Sequence, residues 1–93
     1  MITAKTSDGF ALELDDNTLD DAELLDALGR MQEDDVFAMG QLADRLLGRA
    51  GKKKLYAHLR TPEGRVPVAA LATALGELMN SFAAGKNSAS SPN

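Results

Sequence analysis

The sequence contains no cysteine, no tryptophan and a single histidine among its 93 residues. The absence of cysteine excludes disulfide bridges, thiolate metal ligands and cysteine nucleophiles. His58 has no second metal-binding residue at a suitable spacing, so it predicts neither a metal site nor a catalytic triad. The sequence also lacks a glycine-rich phosphate loop and a nucleophile motif. We therefore expect a protein that is not an enzyme and that uses no cofactor or metal.

Long apolar runs are missing as well, since no run approaches the 18 residues that a membrane span needs. The N-terminus does not show the charged and then apolar pattern of a secretory signal. We therefore expect a cytoplasmic protein without a membrane partner. A chain of 93 residues suits one domain, in which folding buries roughly 60% of the unfolded surface.

The formal net charge of −4 conceals two halves of opposite sign. Residues 1–44 contain twelve acidic and two basic residues, a net charge of −10, whereas residues 45–93 contain eight basic and two acidic residues, a net charge of +6. This division favours docking of the first half on the second, either within one chain or between copies.

The hydrophobic pattern predicts a mainly α domain over residues 1–84, with about four helices and a small N-terminal β-hairpin. The hairpin is expected over residues 2–14, because Asp8-Gly9 is a typical turn pair and Phe10, Leu12 and Leu14 alternate with less apolar residues. Apolar residues at helical spacing predict the helices over about 19–31, 35–47, 50–60 and 67–83. Residues 85–93 are small and polar, which predicts a flexible tail.

Residues 51–67, GKKKLYAHLRTPEGRVP, are the most informative stretch. Pro62 and Gly64 are typical of a tight turn, and Pro67 suits the first turn of the next helix. The basic residues here are compatible with a helix-turn-helix that binds DNA. The acidic first half, the sequence pI near 4.8 and the lack of interleaved aromatic residues argue against nucleic-acid binding.

Several segments of the sequence resemble the small tail-assembly-chaperone-like proteins of siphophages and prophages in Gram-positive hosts. The resemblance covers residues 3–88. Its most specific segments are DDAELL at residues 20–25, LYAHLR at 55–60, GRV at 64–66 and KNS at 86–88.

This resemblance implies a non-enzymatic role in phage tail morphogenesis within the bacterial host cell. Such proteins bind the tape-measure protein, keep it soluble and help the tail tube protein to assemble around it. Many copies of a small protein with an apolar groove and a charged rim suit that task, and the opposed charge halves favour self-association. The alternatives are a small DNA-binding regulator of a phage or prophage, and a generic protein-interaction module.

The candidate partner-binding residues lie in the last two predicted helices and in the turn between them. Basic residues are candidates for contacts with acidic groups of a neighbouring copy, and aromatic or aliphatic residues are candidates for the groove, with a place in the core as the alternative. They are Lys53, Tyr56, Leu59, Arg60, Arg65, Met79 and Phe82.

Overall fold

The structure is a computed structural model that describes residues 1–33 and 35–90, with the backbone alone described for residues 86–90. Five elements follow one another along these residues. They are β1 (Ile2–Lys5), β2 (Ala11–Leu14), α1 (Ala22–Gln32), α2 (Ala38–Leu59) and α3 (Val68–Ser90). The mainly helical class with a small N-terminal sheet is confirmed.

The hairpin is a two-stranded antiparallel sheet in which Ile2 lies opposite Leu14 and Lys5 lies opposite Ala11. Gly9 closes the turn with a φ of 99°, a backbone conformation that glycine adopts without a Cβ penalty. The Thr6 N–H donates to the Phe10 carbonyl at 2.8 Å, just beyond the strands. The Asp-Gly signal therefore predicted the hairpin correctly.

Helix α1 begins at Ala22, three residues later than the predicted helix over 19–31. The Asp21 carboxylate accepts hydrogen bonds from the N–H groups of Glu23 and Leu24, at 2.9 and 3.3 Å, and so caps the helix. The preceding residues form turns instead, because Asp15 and Asn17 accept backbone hydrogen bonds from Thr18 and Asp20. With several cap-forming residues in succession, the sequence pattern did not identify the one that starts the helix.

The described residues form three helices, so the prediction of four was wrong. The predicted helices over 35–47 and 50–60 are the two arms of α2, which joins them through a kink at Gly48. Gly48 has φ 72° and ψ 170°, a region of backbone space that is essentially restricted to glycine. The glycine interrupts the helical geometry at one residue, and the helix resumes immediately. We call residues 38–47 the first arm and residues 49–59 the second arm.

The turn between α2 and α3 has the predicted form. The Thr61 N–H donates to the Arg65 carbonyl at 2.7 Å, and Gly64 has a φ of 92°. Helix α3 then begins at Val68, and its backbone continues to Ser90, beyond the predicted helix end at residue 83. The described backbone is thus helical over part of the segment 85–93 that we predicted as a tail, and residues 91–93 lie outside the described residues.

Helix α3 runs antiparallel to β1 and covers it. The Lys5 N–H donates to the Ser81 hydroxyl at 2.9 Å, and Ser7 donates to the Glu77 carboxylate through its N–H at 3.1 Å and its hydroxyl at 2.8 Å. A Cβ at Gly85 would lie 2.8 Å from Ile2 Cγ2, so the glycine permits a close approach at the other end of β1. Side chains of α3 therefore protect a strand that would otherwise present an open edge.

The core lies where the hairpin and all three helices meet. Its largest fully buried side chains come from every helix, and they are Phe82, Leu24, Leu42, Leu55, Leu75 and Leu78. Burial of side chains of this size contributes about 1.5–3 kcal/mol each, before the entropy of ordering the chain is subtracted.

Residues Val68–Gly85 of α3 are long and apolar enough to span a membrane, by length and composition only. We had expected no such segment from the sequence. Leu71, Leu75, Leu78 and Phe82 within it are buried in the core. Of the residues in this stretch, 28% are buried inside the structure.

Candidate partner-binding cleft

An apolar cleft of about 290 Å³ opens where three parts of the chain meet. Its lining comes from the turn before α2 and the first residues of α2, from Tyr56 of the second arm, and from the turn before α3 and its first residues. The lining residues are Val36, Phe37, Met39, Gly40, Tyr56, Val66, Val68 and Leu71. Except for the Tyr56 hydroxyl, their side chains carry no oxygen or nitrogen, so the cleft suits an apolar group.

Phe37 is the most exposed large apolar residue at this cleft, with 90% of its surface accessible. The Asp35 carboxylate accepts a hydrogen bond from the Phe37 N–H at 3.1 Å, and the Asp35 carbonyl accepts one from the Ala38 N–H at 3.0 Å. These bonds hold the turn that begins α2 and present the phenyl ring to solvent. Val36 and Val68 are 56% and 58% exposed beside it. A contiguous exposed apolar patch of this kind marks a candidate interaction surface.

The inner end of the cleft is held by contacts between the two arms of α2. Lys52 Nζ lies 3.2 Å from Asp44 Oδ2 and 5.4 Å from the centroid of the Tyr56 ring, which is within cation–π range. The same Nζ lies 3.8 Å from the position that a Cβ at Gly40 would occupy. Asp44 and Lys52 are each four residues from Gly48, so the kink brings the two arms together at this contact.

The structure brings two of the seven predicted site residues to this region. Tyr56 lines the cleft, and Arg65 lines an adjoining depression that shares Val66 and Val68 with it. Lys53 is exposed on the second arm, and Arg60 donates to the Gly64 carbonyl at 2.8 Å.

The other three predicted residues lie elsewhere. Leu59 is partly buried and faces a different depression, lined also by Ser7 and Glu77. Met79 is partly buried against the core, and Phe82 is completely buried within it. The apolar stripe of α3 therefore packs into the core of its own chain at Phe82, which has no exposed surface for a partner to contact.

The site residues predicted from the sequence did not include Phe37, Val36 or Val68. Val36 follows an acidic segment and precedes α2, and Val68 directly follows Pro67 at the start of α3. Both positions are at helix ends, where helical periodicity does not determine which side faces the core. The adjacent pair Val36-Phe37 between two helices was the available signal, since connecting turns are usually polar.

A polar cluster joins the hairpin tip to the second arm of α2. Asp8 Oδ2 lies 3.0 Å from His58 Nε2, and Asp8 also accepts a hydrogen bond from the Thr6 hydroxyl. The His58 ring packs against Phe10, with the ring centroids 5.2 Å apart. The Thr6 hydrogen bond, and secondarily His58, lowers the pKa of the Asp8 carboxyl. This cluster fastens the hairpin to the helices.

A polar depression of about 570 Å³ lies at the start of α1. Asp15, Asp20, Asp21, Glu23 and Arg45 contribute the charged groups of its lining. Arg45 pairs with Glu23 and lies 3.9 Å from Asp21, so part of the acidic charge is already neutralised. Among the described residues, no group of three or more candidate ligands could hold a metal ion.

Ion pairs connect the acidic residues 1–44 with the basic residues 45–93 within one chain. Arg45 pairs with Asp21 and Glu23, and Lys52 pairs with Asp44. His58 lies 3.0 Å from Asp8, a contact that is an ion pair only when the ring is protonated. The intramolecular alternative that the charge division left open is therefore realised at these places. The pairs are exposed or partly exposed, so each contributes little to stability.

Comparisons with known proteins found no match. No protein-family model matches the chain, and no curated protein and no solved structure is significantly similar to it.

Proposed function

We propose that this protein is a non-enzymatic assembly chaperone that binds an apolar seam of a long helical partner through the cleft at Phe37. The observation that carries the proposal is the 90% exposure of Phe37 beside an open apolar cleft. An isolated exposed apolar residue is ordinary, whereas Phe37 adjoins the exposed Val36 and Val68 and lines a cleft together with Tyr56.

An amphipathic helix is the partner element that this surface suits best. Helices dock into apolar grooves by inserting side chains from one face, spaced three or four residues apart. The charged groups around the cleft, among them Asp35, Lys52 and Arg65, suit the polar flanks of such a helix. Helices with long apolar seams aggregate when they are exposed, so a small protein that covers the seam keeps its partner soluble.

The resemblance to tail-assembly-chaperone-like proteins supplies the particular partner in this proposal. It is the tape-measure protein of a siphophage or prophage, with the tail tube protein as the second partner during assembly. Tyr56 and Arg65, which lie in the segment that carries part of the resemblance, line the cleft and the depression beside it.

The test is co-expression with the tape-measure protein, the long helical partner that the resemblance implies. We expect the wild-type chain to keep that protein in the soluble fraction and to co-purify with it. Phe37→Ser should weaken binding roughly tenfold or more, because burial of a phenyl group contributes about 1.5–3 kcal/mol.

Leu25→Ser is the matched control, because Leu25 is 56% exposed on α1 and does not line the cleft. Circular dichroism of both variants should match that of the wild type, since neither change removes a buried side chain. Binding that survives Phe37→Ser unchanged, or a partner that remains insoluble with the wild-type chain, would refute the proposal.

A further inference from the structure

The cleft face carries a projecting apolar side chain and an apolar cavity, two features that can pair across a two-fold axis. Phe37 lines the cleft and projects into solvent, and the apolar cavity lies directly beside it on the same face. When a projection and a cavity share one face, a two-fold axis through that face places the projection of each copy over the cavity of the other. Such an isologous contact closes on itself and stops at two copies.

The charges beside the cleft are complementary in the same way. Glu33 and Asp35 are acidic residues of the turn that precedes Phe37, and both retain exposed surface. Arg65 lies on the opposite side, next to the cleft residue Val66, and is exposed. A two-fold rotation about the cleft brings the acidic turn of one copy towards Arg65 of the other. Opposite charges at matching places favour this pairing and its register.

We propose that the free protein forms a reversible homodimer in which Phe37 of each copy occupies the cleft of the other. This inference rests on the proposed function only because both use the same cleft. It also implies that self-association regulates access of a partner to the cleft. A helical partner has to displace the second copy, so self-association protects the apolar face until the partner arrives. Because the face is small, the dimer is weak and its population depends on concentration.

Sedimentation analysis of the chain alone, from about 1 to 500 µM, tests the dimer in the range expected for a small interface. The mass should rise with concentration from the 9.9 kDa of the monomer towards twice that value. Phe37→Ser should shift the dimerisation midpoint at least tenfold upwards. Leu25→Ser should dimerise like the wild type.

A charge-reversal pair tests the two-fold register. Arg65→Glu and Glu33→Lys should each weaken self-association when studied alone, because like charges then face each other. An equimolar mixture should regain association, since both charged contacts between the two different copies again join opposite signs. Glu33 ends α1 through its backbone N–H, so the substitution retains that cap.

The results separate this inference from the proposed function. A wild-type chain that stays at 9.9 kDa throughout the range, or a dimer that Phe37→Ser leaves intact, overturns the homodimer. A monomeric chain that solubilises the long helical protein overturns the homodimer alone and leaves the chaperone proposal standing. A dimer that loses association in Phe37→Ser and leaves that protein insoluble supports the homodimer and refutes the chaperone proposal.

Discussion

The hairpin side and the cleft side of this small domain differ in whether their surface groups have partners within the chain. On the hairpin side, Ser81 and Glu77 of α3 accept hydrogen bonds from Lys5 and Ser7, so the backbone beside β1 is satisfied within the chain. On the cleft side, Phe37 is left 90% exposed. The hairpin side thus uses its polar groups for hydrogen bonds that stabilise the fold. The cleft side leaves an apolar ring in water, where it is available for binding.

The largest expected effect comes from comparing the two phenylalanines at the extremes of burial. Phe82→Ala should lower the free energy of unfolding by about 3–5 kcal/mol, because it leaves a cavity in the core. Phe37→Ala should change that free energy by no more than about 0.5 kcal/mol, because its ring makes few contacts that folding creates. Urea unfolding followed by circular dichroism measures both. Similar losses for the two variants would show that Phe37 is part of the core.

A smaller effect is expected at Gly48, the kink between the two arms of α2 that contribute to the cleft. Gly48→Ala should destabilise the fold by about 1–3 kcal/mol, because its φ of 72° with ψ of 170° is unfavourable for a residue with a Cβ. Gly29→Ala is the control. It lies inside α1 with open space around its Cβ position, so it should stabilise by about 0.5–1 kcal/mol. If Gly48→Ala also stabilised the protein, α2 would have to be a straight helix, and the cleft would not form as described.

The smallest effect concerns the polar fastening of the hairpin tip. The pKa of Asp8 is lowered in the folded protein, chiefly by the Thr6 hydrogen bond and then by His58. Ionised Asp8 therefore contributes stability above its unfolded pKa of about 4, and this contribution is lost as the pH falls through the folded pKa. Asp8→Asn should be less stable than the wild type at pH 7, and the difference should shrink in acid.

Urea midpoints of the wild type, Asp8→Asn and His58→Gln at about pH 7 and about pH 3 check this linkage, since these values lie on either side of the unfolded pKa. His58→Gln retains the Thr6 hydrogen bond, so we expect it to keep most of the pH dependence that Asp8→Asn removes. An equal difference between wild type and Asp8→Asn at both pH values would contradict a contribution from the ionised carboxylate.

Much of the fold followed from local patterns. The Asp8-Gly9 turn predicted the hairpin, the turn around Gly64 separated the last two helices, and the apolar stripe from Leu71 to Phe82 predicted the central helix of the core. These predictions were correct because each depends on neighbours along the chain. The predicted number of helices was wrong because of Gly48. A glycine after a helical pattern indicates a helix end, but it does not show whether the helix resumes at the next residue.

The candidate site was harder to predict, because its residues come from three separate segments. Tyr56 and Arg65 were selected for their residue types and their place in the basic stretch, whereas Phe37 was overlooked. No local pattern relates Val36 and Phe37 to Tyr56 of the second arm and Val68 of α3. Only the bend at Gly48 and the packing of α3 bring these segments together.

The sequence by itself determined the mainly helical class, the hairpin and the residues able to cap, turn or fill a core, since these depend on local conformational preference and hydrophobic period. The tertiary structure alone decided which apolar side chains found a place in that core. Phe82 and Phe37 are the same residue type, yet one is fully buried and the other almost fully exposed. The reason is that a side chain is buried only where helices and strands pack around it. The kink at Gly48 and the packing of α3 on β1 determine where that happens.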